Sequence, residues 1–190
     1  MRAMQREDYG VPEFAADLRA LAAQTDDPAR MIKAVRPLAL RLGLDKRWVR
    51  PEHYRCDEEQ GFGVHLLHEE TDHTLAVFAI SWLPGRGAPP HNHATWAVVA
   101  GVDGPELNTF WKRVDDGSRP GHAEIVKAGE KEFGVGDVVS LLPDGIHSVR
   151  NATERVTLSL HVYGKHLNHT GRSTFDPVAR TEQPFIVKQA

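Results

Sequence analysis

The chain has 190 residues and a formal net charge of −3, from 23 basic and 26 acidic side chains. Its length suits one domain, residues 1–190, with a sizeable core. No basic stripe is present, which argues against a nucleic-acid partner or an anionic membrane surface. One cysteine, Cys56, excludes an intramolecular disulfide. Because no run has the length and apolarity of a membrane span or signal peptide, a cytoplasmic protein is expected.

The first part of the chain, residues 11–44, has the spacing of two helices. Apolar residues recur there at intervals of three and four, which places them on one face of each helix. Asp27 followed by Pro28 is typical of the start of the second helix. Pro37 is expected to kink or divide that helix. We expect both helices to pack on the outside of a sheet and to carry no chemistry.

From about residue 61 to residue 190, apolar residues tend to occur at every second position, and Gly, Pro and Asp recur at short intervals. Strands are predicted over residues 63–68, 74–83, 95–101, 107–113, 122–127, 137–141, 147–151 and 157–163. Many short strands at this spacing indicate an antiparallel β-sandwich or barrel. Residues 115–120 and 128–130 have the composition of surface turns, and residues 184–187 are predicted to form a closing edge strand.

Three histidines could form a metal site. His91 and His93 are separated by one residue, so in an extended strand both side chains project from the same face. His147 follows the turn signal Pro143-Asp144-Gly145 and supplies the third candidate ligand. Three neutral imidazoles suit Fe, Ni, Mn or Zn. In a chain with eleven histidines the first pair alone could arise by chance, and the second motif strengthens the hypothesis.

A second polar pattern occupies the last long predicted strand. Ser159, His161 and Tyr163 alternate with leucine and valine, so they share one face of the strand. Ser159 could then orient His161, and His161 could hold the Tyr163 hydroxyl group. The alternative is that His161 is a core histidine whose hydrogen bonds are simply satisfied. Trp82, Trp96 and Trp111 are expected to pack in the core.

Together these residues resemble the paired cupin motifs, Gly-x5-His-x-His-x3,4-Glu-x6-Gly and Gly-x5-Pro-x-Gly-x2-His-x3-Asn. The first motif is matched by Gly85, His91, His93 and Gly104, and the second, with Pro-x-Gly displaced by one position, by Gly136, Pro143, Gly145, His147 and Asn151. Ala97 stands where the glutamate ligand is expected. The resemblance implies a mostly β fold, the cupin double-stranded β-helix or jelly-roll barrel, with the N-terminal helices packed outside.

The Ser-x-His-x-Tyr pattern is similar to that of the thiol dioxygenases, the cysteine dioxygenase superfamily. Three runs resemble its bacterial 3-mercaptopropionate dioxygenase branch: Trp82-x-Pro84-Gly85, Pro90-His91-Asn92-His93-Ala94-Thr95-Trp96 and His161-Val162-Tyr163-Gly164. The likeness spans roughly residues 65–175. It implies Fe(II) held by His91, His93 and His147, with Ser159, His161 and Tyr163 as catalytic residues. The implied substrates are O2 and a small thiol carboxylic acid of the 3-mercaptopropionate or cysteine type, which becomes a sulfinic acid.

The resemblance also implies two substrate-binding residues, Tyr163, whose hydroxyl group would donate a hydrogen bond to the substrate, and Arg172. Arg172 lies where the mercaptopropionate branch carries a carboxylate-binding arginine, a role suited to a guanidinium fork. The alternative is a solvated arginine in a surface loop. Val64 stands where the family has arginine or glutamine and can fill neither role. Ala97 occupies the place of the cysteine that some members cross-link to the tyrosine, so we expect no cross-link to Tyr163.

Two other functions are open at this point. The chain could be a different metal-dependent cupin enzyme, an isomerase or a dioxygenase acting on a non-thiol acid, that does not need Ser159, His161 and Tyr163. It could also be a non-catalytic cupin that binds a small ligand or a metal ion. The sequence carries no pattern that indicates the oligomeric state, the physiological thiol or, apart from the resemblance, the identity of the metal.

Overall fold

The computed structural model describes residues 9–190, so the charged segment 1–8 lies outside the described residues. Two helices come first, α1 at Val11–Ala22 and α2 at Pro28–Leu44. Asp27 caps α2, because its side chain accepts a hydrogen bond of 2.7 Å from the backbone N–H of Arg30. α2 continues through Pro37, so of the two predicted effects, a kink or a division, the division does not occur. Pro37 lies on the exposed face, where a carbonyl group that loses its helical donor can be hydrated.

Within residues 9–190, eleven strands form two sheets. They are β1 Phe62–His68, β2 Thr74–Trp82, β3 Gly87–His91, β4 Ala97–Asp103, β5 Glu106–Arg113, β6 Ile125–Phe133, β7 Val138–Leu141, β8 Ile146–Arg150, β9 Thr157–Lys165, β10 Ser173–Asp176 and β11 Thr181–Pro184. One sheet has the order β1-β2-β9-β4-β7, and the other has the order β11-β10-β3-β8-β5-β6. Short 3-10 helices lie at Lys46–Trp48, Pro51–Tyr54 and Leu167–His169.

The strand order confirms the predicted jelly roll. Within the two sheets, strands β2 to β9 are arranged as β2-β9-β4-β7 and β3-β8-β5-β6. Between β2 and β9 the chain therefore crosses from one sheet to the other at every connection except β5 to β6 and closes two Greek keys. The fold is mostly β, as the sequence indicated, and two facing sheets form it. No helix among residues 9–190 is long and apolar enough to cross a membrane.

The helices cover the outer face of the first sheet, as expected. Phe14, Met31 and Leu42 are buried there against side chains such as Val98 and Leu160. The opposite face of the same sheet looks toward the second sheet. This alternation along β2, β4 and β9 places one set of side chains under the helices and the other set in the space between the sheets.

Some strand boundaries differ from the prediction. Residues 128–130 are not a turn but lie inside β6, where a bulge places Gly129 opposite Phe110 and leaves an extra residue. β6 is an edge strand and largely exposed, so it tolerates a turn-like composition. The loop at 115–120 is confirmed. The last strand, β11, ends at Pro184, so residues 185–187 are not the predicted edge strand and run on beyond it.

Candidate metal centre

Three histidines converge between the sheets. His91 is the last residue of β3 and pairs with His147 on β8. One nitrogen atom from each of His91, His93 and His147 lies within 4.8 Å of the others. His93 reaches the cluster differently from the prediction, because β3 ends before it and the chain turns through Ala94 at φ 52°. The cluster therefore depends on the turn after β3 and not on an extended strand.

Hydrogen bonds fix which nitrogen atoms face the cluster. His91 Nδ1 lies 2.7 Å from the Pro89 carbonyl oxygen, and His147 Nδ1 lies 2.9 Å from Asn108 Oδ1. Since both partners accept, each Nδ1 carries the hydrogen and each Nε2 keeps a free lone pair. Within residues 9–190, neither ring nitrogen of buried His93 has a hydrogen-bond partner. Coordination of a metal ion would satisfy this otherwise costly buried group.

Burial keeps the cluster neutral. It holds the pKa values of His91 and His93 well below the ordinary value and lowers the pKa of His147 to about 3, with the charge of Arg172 acting in the same direction. Neutral imidazoles are the form that binds metals. Ala97, at the position of the glutamate ligand, is apolar and buried. The donor set of three neutral nitrogens fits a first-row transition metal such as Fe(II) and leaves coordination positions open.

Ser159, His161 and Tyr163 form a hydrogen-bonded triad along β9. Ser159 Oγ lies 2.8 Å from His161 Nε2, and His161 Nδ1 lies 2.7 Å from Tyr163 Oη. The Tyr163 ring stacks on His93, with 5.1 Å between centroids, so the triad ends beside the histidine cluster. Burial lowers the pKa of His161 to about 3 and raises that of Tyr163. The triad is therefore neutral at physiological pH.

Arg172 enters the same space from the segment before β10. It is 4% exposed, so it is not a solvated surface arginine. Its Nε donates to the Phe185 carbonyl oxygen at 3.2 Å, and its guanidinium carbon lies 4.2 Å from the centroid of the Phe185 ring. Its Nη2 has no partner in the described part of the chain. Burial lowers the pKa of Arg172 to about 10, and it stays charged at neutral pH.

These groups line one small cavity with about 320 Å³ of empty space, part of it open to solvent. The polar lining consists of His91, His147, His161, Tyr163 and Arg172. The other lining residues are apolar or aromatic, and they are Phe62, Val64, Ile80, Trp82, Ala88, Val149, Leu167, Phe185 and Val187. Val64 thus reaches the cavity but offers it no hydrogen-bonding group.

The C-terminal residues cover this cavity. Phe185 and Val187 line it, and beyond them the backbone N–H of Ala190 donates to the Val64 carbonyl oxygen at 3.0 Å. The Asn168 side chain holds the same segment through two hydrogen bonds with the backbone of Val187. The edge-strand prediction for residues 184–187 therefore misplaced a segment whose side chains close the site.

Two supporting residues were not expected from the sequence. Trp82 was predicted as simple core, but its indole N–H donates to Ser159 Oγ at 3.2 Å. Asn108 orients His147 and is 3% exposed. Asn108 lies near the start of the strand predicted at residues 107–113, but nothing in the sequence says which face of that strand points inward. Trp96 packs under the helices, as expected.

No protein-family model matches the chain. Among solved structures, the chain is similar to an uncharacterized conserved protein with a double-stranded β-helix domain from Klebsiella pneumoniae, with TM-score 0.48, 12% identity, and coverage of 68% of this chain and 97% of that one. An oxalate oxidase gives TM-score 0.46 and 16% identity over 63% of this chain, and the match spans only 57% of the oxidase. KdgF from Halomonas sp. gives TM-score 0.45 and 13% identity, covering 62% and 94%. Similarities this distant do not bear on activity.

Proposed function

We propose that the protein is a thiol dioxygenase for small thiol carboxylic acids. The overall reaction is R–SH + O2 → R–SO2H, in which both oxygen atoms add to sulfur and no external reductant is consumed. The observation that carries the proposal is the meeting, in one small cavity, of a neutral three-histidine cluster with a charged Arg172 that lacks a partner for Nη2. A thiol acid carries a group that suits each of these sites. Its sulfur atom can bind a metal ion held by the histidines, and its carboxylate can bind Arg172.

The three histidines have the charge and the burial that an Fe(II) site needs. Fe(II) fits His91, His93 and His147 because each is neutral, buried and able to present a lone pair. When bound, Fe(II) supplies a positive charge that lowers the pKa of a coordinated thiol, together with the redox chemistry that O2 requires. Holding the sulfur and O2 in one cavity makes their reaction a local step.

Arg172 is the reason for proposing a substrate that carries a carboxylate group. A substrate carboxylate can accept hydrogen bonds from the guanidinium group and neutralise its buried charge. Among residues 9–190, the side chains that line the cavity include no carboxylate that could pair with the ammonium group of cysteine. Val64 contributes only apolar surface. Therefore 3-mercaptopropionate, which has no ammonium group, is the preferred substrate, and cysteine is a poorer one.

The triad positions a neutral hydroxyl group at the metal cluster. Tyr163 keeps its proton because burial raises its pKa, and His161 holds the hydroxyl at 2.7 Å. The Tyr163 hydroxyl can donate a hydrogen bond to the reacting atoms, with Ser159 fixing the imidazole of His161. Phe185 and Val187 cover the cavity and limit the entry of water that would compete with the substrate.

The test is O2 consumption by Fe(II)-loaded protein with 3-mercaptopropionate, cysteine and cysteamine in parallel. We expect rapid uptake with the mercapto acid, weaker uptake with the other two thiols, and loss of uptake in His147→Ala. His169→Ala is the matched control, because His169 is exposed and does not line the cavity. Absence of uptake with all three thiols in protein that has bound iron would refute the proposal.

A further inference from the structure

Asn92 lies between the candidate metal ligands His91 and His93, and the proposed function gives it no role. Its backbone N–H donates to the Ser173 carbonyl oxygen at 3.1 Å, and its side-chain Oδ1 accepts from the Ser173 backbone N–H at 2.8 Å. Ser173 directly follows Arg172 in the chain. Two hydrogen bonds therefore join the segment that carries two of the histidines to the backbone that carries the arginine.

A neighbouring contact holds the same two segments together. His91, at the end of β3, is paired with Thr174 on β10. The Thr174 hydroxyl group donates a hydrogen bond of 3.0 Å to the Pro90 carbonyl oxygen. Because β3 and β10 are paired at this one position, the connection between them depends on the side chains of Asn92 and Thr174 as well as on the backbone.

Phe185 restricts the Arg172 side chain itself. The Phe185 backbone N–H donates to the Arg172 carbonyl oxygen at 3.0 Å, and Arg172 Nε donates to the Phe185 carbonyl oxygen at 3.2 Å. The centroid of the Phe185 ring lies 4.2 Å from the guanidinium carbon and 5.2 Å from the centroid of the His91 ring. The guanidinium carbon is therefore at most about 9.4 Å from the centre of the His91 ring.

These contacts give the arginine a fixed position, which an arginine side chain does not have by itself. The side chain has several rotatable bonds, so a free guanidinium group could follow thiol acids of different lengths. In this protein the Arg172 backbone is held on both sides, Nε is already hydrogen-bonded, and the residue is 4% exposed. Its Nη2, which has no partner within residues 9–190, therefore stays at one distance from the histidine cluster.

We propose that Asn92 is a positioning residue that fixes the distance between the metal site and Arg172, and thereby selects the chain length of the thiol acid. The inference rests on the proposed function for the two points of attachment, which are the sulfur atom at the metal and the carboxylate at Arg172. A substrate held at two points is selected by length only when those points cannot move apart. The three-carbon acid, 3-mercaptopropionate, is then favoured over acids with one methylene group fewer or one more.

The contribution of the Asn92 side chain can be removed without removing the backbone contact. Alanine keeps the N–H that donates to Ser173 and loses the Oδ1 that accepts from it, so the segment at Ser173 can shift. A displacement of about 1 Å is enough to lower a reaction rate about 100-fold. Aspartate has nearly the same shape as asparagine and also presents an oxygen atom to the Ser173 N–H, so it should keep the arginine in place.

The selection by length can be measured without turnover. Co(II)-loaded protein, kept free of O2, is titrated with mercaptoacetate, 3-mercaptopropionate and 4-mercaptobutyrate, and the charge-transfer absorption of a cobalt-bound thiolate gives each Kd. In the wild type, 3-mercaptopropionate should bind about tenfold or more tightly than the other two acids. This preference should fall below about threefold in Asn92→Ala and be retained in Asn92→Asp. Cysteamine, which has no carboxylate, should bind equally to all three proteins, because the metal site is unchanged.

Gln183→Ala is the matched control, because Gln183 is an exposed amide on β11, beside β10, and does not line the cavity. Thr174→Val removes the second connection and should weaken the preference in the same direction, so it decides the question if Asn92→Ala does not bind cobalt. The inference is overturned if wild-type protein binds no thiol acid, binds the three equally or favours another length, or if both variants keep the wild-type preference. If Fe(II)-loaded protein oxidises no thiol while the cobalt protein selects by length, the proposed function fails and the role of Asn92 stands.

Discussion

Replacing Arg172 with methionine should weaken the proposed activity toward thiol acids and stabilise the fold. A fall in the pKa of Arg172 from 12.5 to about 10 corresponds to about 3 kcal/mol of unfavourable free energy for the charged group in the folded protein. Below pH 10 this cost is fully present, because the side chain is protonated in both folded and unfolded chains. Methionine has a similar reach and no charge, so the substitution removes the cost.

Other lost contacts offset part of this gain in the free energy of unfolding. The variant loses the hydrogen bond from Nε to the Phe185 carbonyl oxygen and the contact of the guanidinium group with the Phe185 ring. These are worth about 1–2 kcal/mol together. The free energy of unfolding should therefore rise by about 1–2 kcal/mol, which is roughly 2–8 °C in Tm for a chain of this size.

Activity should change in the opposite direction. Removing one partner of a buried, hydrogen-bonded charge pair costs about 2–5 kcal/mol, so kcat/KM for 3-mercaptopropionate should fall roughly 30-fold or more. Cysteamine has no carboxylate, and its kcat/KM should change less than about threefold. The assays are O2 uptake with both thiols and thermal unfolding. Arg150→Met, at an exposed arginine on β8, is the control. A lower Tm, or equal losses for both thiols, would refute the reasoning.

Three other changes have defined outcomes. Tyr163→Phe removes the hydroxyl group held by His161 at 2.7 Å, so kcat should fall about 100-fold with iron content unchanged, and wild-type kcat would contradict its role. Asn108→Ala frees Nδ1 of His147 and should weaken metal binding about 10–100-fold in a chelator competition, whereas unchanged affinity would show that the 2.9 Å hydrogen bond is unimportant. The pKa of His161 falls from 6.5 to about 3 on folding, so its contribution to stability is present above about pH 6.5 and is lost as the pH falls toward 3. Urea unfolding of the metal-free chain should therefore show a lower midpoint at pH 5 than at pH 7, and equal midpoints would contradict this.

The sequence predicted the parts of the site that depend on local spacing. Ser159, His161 and Tyr163 alternate along one strand, so a shared face and a hydrogen-bonded series follow from strand geometry. His91 and His147 were predicted to be ligands of the same metal ion, and they lie opposite each other on β3 and β8. His93 was also predicted as a ligand, but on the assumption that it shares an extended strand with His91. In the structure the strand ends at His91, and His93 lies beyond it.

Features that depend on tertiary packing were not predictable in the same way. The position of Arg172 depends on the segment before β10 folding inward, and its loop-like sequence also suited an exposed arginine. Glu106 and Asn108 lie in the interior because of the face that β5 turns toward the other sheet. The cover formed by Phe185 and Val187 has no periodic pattern, and its apolar residues resembled those of an edge strand.

The central claim is that both atoms of O2 are added to the sulfur of a thiol acid. The most direct measurement is mass spectrometry of the product formed by Fe(II)-loaded protein from 3-mercaptopropionate under oxygen-18 gas. We expect the sulfinic acid with two labelled oxygen atoms, formed in proportion to the O2 consumed. A disulfide accompanied by hydrogen peroxide, or a sulfinate carrying oxygen from water, would contradict the proposed reaction.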